Sequence, residues 1–217
     1  MADNKNKAPE FSDAFRRQLR QLFQWRRDVR RFRTTPLPDG VLGELLDMAN
    51  LSPSVGLSQP WRFVSVKSSK IRSAVIADFE RCNQEAVRRY SASRADDYCR
   101  LKLEGLREAP VQLGVFVDMD TGQGDGLGRQ TMPETLHYSA VTAIYSLWLA
   151  ARSYGIGVGW VSILNPEVVK KACDVPHHWD FIAWLCIGYP RDTSFHPELE
   201  RAGWEKRRLL QEKIQEV

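Results

Sequence analysis

The spacing of apolar residues points to one layered domain that mixes helices and strands, either α+β or α/β. Segments with helical periodicity are interleaved with four short apolar runs of strand length. The 217 residues, 43% hydrophobic and 27% charged, have the balance of a single globular core. No internal repeat is visible.

Along the chain, residues 1–10 are polar and read as a disordered lead. Residues 11–217 read as one domain with a charged excursion at about 80–107. Phe15, Leu19, Leu22 and Phe23 recur at helical spacing over Phe11–Trp25. Pro36 and Pro38 then break the chain, and Asp39 is placed to cap a helix bearing Val41, Leu42, Leu45, Leu46 and Ala49. Ser52–Gly56 is a loop, and Trp61–Val66 a strand. Residues 70–108 are predicted to be helical, with few large apolar residues from Arg81 to Glu104. Val111–Val117 has the continuous apolar character of a buried strand. Thr121–Arg129 holds four glycines and reads as a loop. His137–Tyr154 is apolar around most of its circumference, as expected of a buried helix, often one between subunits, and Gly155 ends it. Gly157–Leu164 is a strand, Asn165–Pro166 opens a helix through Ala172, Phe181–Gly188 is a second buried strand, and the charged tail Pro197–Val217 is helix-prone.

The bulk chemistry excludes several functions. A net charge of +4, with no dense basic run, argues against nucleic acid. The cluster Arg26, Arg27, Arg30, Arg31 and Arg33 is short and suits a phosphate-sized anion. Cys82, Cys99, Cys173 and Cys186 lack zinc spacing, and adjacent His177 and His178 make a poor metal pair, so no metal is expected and the thiols are expected to be reduced. The first ten residues lack the apolar stretch of a signal peptide, and no segment approaches the ~20 residues of a membrane span. The expectation is a soluble, cytoplasmic protein. Seven Trp suggest an interface or a ligand wall in addition to a core.

Three segments offer chemistry. In Arg26-Arg27-Asp28-Val29-Arg30, three guanidiniums can grip a phosphate, and they would keep Asp28 ionised and available as a base. Pro53–Trp61 is a loop between prolines, with Ser54 and the amide of Gln59 suited to a heterocycle edge. Gly155–Ser162 carries alternating glycines that let the backbone approach a flat ligand or another strand. It is not a dinucleotide fingerprint, and Ser162 has no nucleophile elbow around it. Taken singly, each is better explained structurally: a solvated basic stretch, a rigid turn, a packing strand.

Together, in this order and spacing, the three segments resemble the flavin-binding segments of the nitroreductase superfamily. The resemblance runs from about Leu22 to about Arg208. Leu101–Gly105, Ala109-Pro110, Leu127–Arg129, Leu147–Arg152 and Trp184–Gly188 are similar to the 5,6-dimethylbenzimidazole synthase branch, as are Asp28, where ordinary nitroreductases often have Ser, and Ser162. The resemblance implies an α+β fold with a central mixed sheet flanked by helices, in a homodimer with FMN at the subunit interface. It implies that Arg26, Arg27 and Arg30 hold the phosphate and ribityl end, with a further phosphate contact from Arg207. Pro53, Ser54 and Gln59 would border the ribityl chain or the ring, with Gly159 and Trp160 approaching from the other side. Asp28 would be the base and Ser162 the orienting hydroxyl. The implied reaction is oxygen-dependent fragmentation of reduced FMN to 5,6-dimethylbenzimidazole, the lower ligand of cobalamin, with erythrose 4-phosphate as co-product. A separate flavin reductase would supply reduced FMN, and the excursion would form a lid. The competing readings are a conventional FMN-dependent NAD(P)H nitroreductase or dehalogenase, and a non-catalytic flavin carrier.

Overall fold

The computed structural model describes residues 8–217. The expected lead falls largely outside them, on residues 1–7; residues 8–10 are exposed and without regular structure. The helices are α1 (Asp13–Trp25), α2 (Val41–Asn50), α3 (Ser69–Val87), α4 (Ala92–Cys99), α5 (Thr135–Ser153), α6 (Pro166–Cys173) and α7 (Glu198–Arg201). The strands are β1 (Trp61–Ser65), β2 (Val111–Asp118), β3 (Gly157–Val161) and β4 (Trp179–Gly188).

The sheet has the order β1-β2-β4-β3, and every neighbouring pair of strands is antiparallel. The parallel element of the expected mixed sheet is reduced to one isolated bridge, Asp28 with Val158 on β3. Successive side chains of a strand point to opposite faces, and here both faces are covered. Leu113, Val115 and Val117 of β2 join Ala183, Leu185 and Ile187 of β4 in a core beneath α5 and α2. Phe116, Trp184 and Cys186 point the other way, into a core with Val75 and Phe79 of α3 and Val169 of α6. Burial on both faces is why these strands read as unbroken apolar runs. Within the second layer, Trp184 Nε1 donates to Gln112 Oε1 at 3.0 Å and Gln112 Nε2 donates to the Leu106 carbonyl, so the buried amide and indole are satisfied.

Local chemistry sets the element ends. Ser12 caps α1, and Asn165 caps α6 by accepting from the Glu167 N–H at 2.9 Å. Gly155, at φ +72°, closes α5: its N–H donates to the Arg152 carbonyl and that of Ile156 to the Ala151 carbonyl. Most element ends fall within a residue or two of the sequence expectations, and some features differ more. Asp39 does not cap α2; Gly40 does, in a left-handed conformation at φ +86° with no side-chain cap bond. β3 stops at Val161, because the chain must leave the sheet edge to reach Asn165, whose N–H donates to Asp78 Oδ2 at 2.7 Å. The excursion holds the end of α3 and all of α4, but residues 100–110 have no regular helix. The tail forms only α7 and a short 3-10 turn, Leu210–Lys213, since a charged segment with no buried face lacks the tertiary support that short helices need.

The cysteines are all free thiols. Burial pushes Cys173 up to about 11 and raises Cys186 further, so both stay protonated and unreactive. No described helix is long and apolar enough to cross a membrane.

Candidate active site

The site begins where α1 ends. Arg26 makes the last helical bond, to the Leu22 carbonyl, and then turns extended. Residues 27–33 run against β3 and the chain after β4: Val29 N–H donates to the Val158 carbonyl at 3.0 Å, and Arg33 N–H to the Tyr189 carbonyl at 2.8 Å. Fully buried Phe32 anchors the segment. The glycines of β3 make the approach possible. A Cβ at Gly157 would lie 2.6 Å from Val29 Cγ2, and one at Gly159 would run into the Val29 carbonyl oxygen. The alternating glycines therefore accommodate a neighbouring backbone segment, and through it they place Asp28.

Asp28 sits between this segment and β3. Its Oδ1 accepts from the Trp160 backbone N–H at 2.9 Å, and its Oδ2 accepts from Arg30 Nε at 3.0 Å. Arg30 Nη2 is also 3.0 Å from Oδ2, while Arg30 Nη1 donates to the Lys102 carbonyl at 2.9 Å. Asp28 keeps 32% of its side-chain surface open, against 12% for Arg30. Burial raises the Asp28 pKa, outweighing Arg30, the Trp160 N–H and Arg26, which all favour the charged form. The cations do not hold this carboxylate below its ordinary range.

The arginines divide into two groups. Arg27 is committed to the fold: Nε donates to the Ser194 carbonyl at 3.1 Å, Nη2 donates to the Gln24 and Phe195 carbonyls, and Nη1 donates to the Arg26 carbonyl. Arg26 is different. Its guanidinium lies 4.8 Å from the Trp148 ring, and its buried Nε has no hydrogen-bond partner among the described residues. The indole N–H of Trp148 donates to the Arg27 carbonyl at 3.0 Å, so one side chain orders both arginines. Arg207 lines a groove with Arg26, Arg27, Asp28, Arg30 and Glu198. Arg152, from the last turn of α5, lines the adjoining part beside Asp192 and Ser194. Neither Arg152 nor Arg207 makes an ion pair among the described residues, and both bear electrostatically on Arg27. Unpaired cations around an orphaned donor form an environment that a phosphate group fits.

Pro53, Ser54 and Gln59 lie elsewhere. Their loop packs on α5: the Val55 N–H donates to Ser139 Oγ at 3.0 Å, and Thr142 Oγ1 donates to the Pro53 carbonyl at 3.0 Å. Ser54 Oγ accepts from the Gln59 N–H, and Gln59 Nε2 donates to Asn50. None of the three lines the arginine groove. Ser162 is exposed just beyond β3, two residues past Trp160, and also lies outside the groove lining.

The nitroreductase family model matches residues 23–189, most of the chain. The chain belongs to the nitroreductase family. It is 57% identical to the 5,6-dimethylbenzimidazole synthase of Rhodospirillum rubrum, over 92% of this chain and 95% of that protein. It is 43% identical to a 5,6-dimethylbenzimidazole synthase of Rhodobacter capsulatus, over 90% and 95%. These identities place it in the 5,6-dimethylbenzimidazole synthase branch. Among solved structures, oxidized iodotyrosine deiodinase bound to FMN and 3-iodo-L-tyrosine superimposes with a TM-score of 0.68 at 26% identity, over 81% of this chain and 91% of that one. A BluB-like flavoprotein from Clostridium difficile 630 gives 0.66 at 19% identity, over 92% and 98%, a likeness of fold.

Three features of this candidate site carry no separate signal in the sequence. Arg152 lies within a segment that marks the branch, but nothing in its local pattern separates it from an ordinary basic residue at a helix C-terminus. Trp148 reads as core because its neighbours do. The Lys102 carbonyl that holds Arg30 is a backbone group with no sequence signal at all.

Proposed function

We propose that this chain is a 5,6-dimethylbenzimidazole synthase that binds reduced FMN as its substrate and fragments it with oxygen, releasing erythrose 4-phosphate. The observation that carries the reading is Asp28, fixed by the Trp160 N–H and Arg30 beside Arg26, Arg152 and Arg207, which make no ion pair among the described residues. The names of the relatives support the product, and the chain's own residues support the means.

FMN, when bound, would supply the dimethylbenzene ring and its two nitrogens, with the first ribityl carbon becoming the bridging carbon of the product and the pyrimidine part leaving. Arg26, Arg152 and Arg207 hold its phosphate, with Arg27 keeping the Arg26 backbone in place. That grip fixes the distance from the phosphate along the ribityl chain to Asp28. Cleaving carbon–carbon bonds of the ribityl chain requires proton removal, and Asp28 accepts the proton at its open carboxylate edge. Burial increases its proton affinity, and the Arg30 contact favours the charged form that a base needs. Ser162 orients the substrate from the end of β3. The excursion, tied to Arg30 through the Lys102 carbonyl, excludes water.

The working unit in this reading is a homodimer. Tyr138, Val141 and Tyr145 of α5 and Phe23 of α1 leave an exposed apolar face, which a second copy would cover. Pro53, Ser54 and Gln59 would then reach the flavin of the partner subunit. A separate flavin reductase supplies reduced FMN.

The test is a product assay with chemically reduced FMN, mixed anaerobically with the protein and then exposed to oxygen. Formation of 5,6-dimethylbenzimidazole in step with loss of FMN supports the synthase. Quantitative recovery of FMN with hydrogen peroxide would refute it and leave a nicotinamide-driven reductase or a flavin carrier.

A further inference from the structure

After α7 the tail is exposed, with one exception. Trp204 is half-buried while its neighbours on both sides are exposed. Gly203, at φ +73°, turns the chain, and the Trp204 N–H donates to the Leu199 carbonyl at 2.9 Å. The indole meets the excursion. The Arg94 guanidinium on α4 lies 3.6 Å from its ring centroid, and Arg94 Nη2 donates to the Trp204 carbonyl at 2.8 Å. Tyr90 and Tyr98 flank the ring at centroid distances of 5.6 and 6.1 Å. Tyr98 is itself held to α3, its hydroxyl donating to Asn83 Oδ1 at 2.7 Å. Residue Trp204 is thus fixed through its ring and its backbone together.

Residues 205–209 are exposed and without regular structure, yet Arg207 among them lines the arginine groove. Its position therefore depends on where Trp204 is anchored. We infer that Trp204 and Arg94 are positioning residues for the anion end of the site: the Arg94–Trp204 stack fastens the C-terminal segment to the excursion and delivers Arg207 to the ligand phosphate. This inference rests on the phosphate site proposed above. Because Lys102 of the same excursion holds Arg30, one structural unit serves both the base and the phosphate grip.

The test compares equilibrium binding of oxidized FMN and of riboflavin, which lacks the phosphate, by flavin fluorescence. Trp204→Ala, Arg94→Ala and Arg207→Ala should each weaken FMN binding about tenfold and leave riboflavin within about twofold. The double variant Trp204→Ala/Arg207→Ala should be no weaker than Arg207→Ala, since the two act through one contact. Trp204→Phe keeps a ring under Arg94 and should recover most of the FMN affinity. If Arg207→Ala lowers FMN binding selectively but Trp204→Ala and Arg94→Ala do not, the positioning role is overturned while the phosphate site stands. If Arg207→Ala is without selective effect, the phosphate reading falls and the inference falls with it. Equal weakening of both flavins by Trp204→Ala, or additivity with Arg207→Ala, marks a merely structural residue and also overturns it. Arg94→Ala tests the same contact from the other side should Trp204→Ala fail to fold.

Discussion

The backbone N–H of Trp160 donates to Asp28 Oδ1 across 2.9 Å, joining residues 132 apart in sequence. This bond lies beside the bridge between Asp28 and Val158, so the carboxylate is oriented by the backbone of β3 and not by flexible side chains alone. A base positioned this way keeps its geometry while its proton comes and goes.

Asp28→Asn should abolish product formation while retaining FMN binding, because the amide oxygen can still accept the Trp160 bond but the group no longer takes a proton. In the wild type, single-turnover product formation should rise with pH through a midpoint above the ordinary carboxylate range, as burial dictates. Stability runs the other way. A raised folded-state pKa means that the group's stabilising contribution is present below its unfolded value and is lost as pH rises through the folded value. Product formation by the Asn variant at the wild-type rate would remove Asp28 from the chemistry.

Gly159→Ala should destabilise the fold by about 1–3 kcal/mol, because the new Cβ meets a backbone carbonyl that cannot swing away. FMN binding should fall with it, since the strain separates Asp28 and the arginines from β3. Urea unfolding with parallel flavin titration reads both quantities. A variant with unchanged midpoint and unchanged affinity would show that the segment is not held as closely as described.

Arg26 and Arg27 should respond differently despite being neighbours. Arg26→Ala should weaken FMN about tenfold relative to riboflavin, with a smaller loss of stability than Arg27→Ala, since its Nε has no hydrogen-bond partner among the described residues and only ring contacts, chiefly the Trp148 stack, are lost. Arg27→Ala should instead cost about 1–3 kcal/mol of stability by stranding carbonyls of the 24–26 and 194–195 segments. Calorimetry and flavin binding on the two variants separate the roles. Identical behaviour would contradict the division.

Val141→Glu should produce a monomer by sedimentation at micromolar protein and lose FMN binding, because it puts a charge on the exposed face of α5 that the homodimer would bury. A wild-type protein that sediments as a monomer and still binds FMN would defeat the interface.

Much of the fold is legible in the chain because the signals are local. Apolar periodicity marks α1 and α2, an apolar surface around most of its circumference marks α5, unbroken apolar runs mark β2 and β4, and Asn165-Pro166 announces α6 through a cap that needs only its nearest neighbours. The resemblance carried by Arg26–Arg30, Pro53–Trp61 and Gly155–Ser162 likewise named the family. Other features depended on partners distant in sequence. That Gly157 and Gly159 of β3 lie against Val29 depends on a segment more than 120 residues away, and whether an arginine is free or committed depends on carbonyls as far away as Ser194. The direction of the Asp28 pKa followed from its burial, which no residue list contains. Secondary structure arises from interactions within a turn or two of the chain. The competence of a side chain to bind or to take a proton arises from its solvation and its remaining hydrogen-bond capacity, and those exist only after distant segments have packed together.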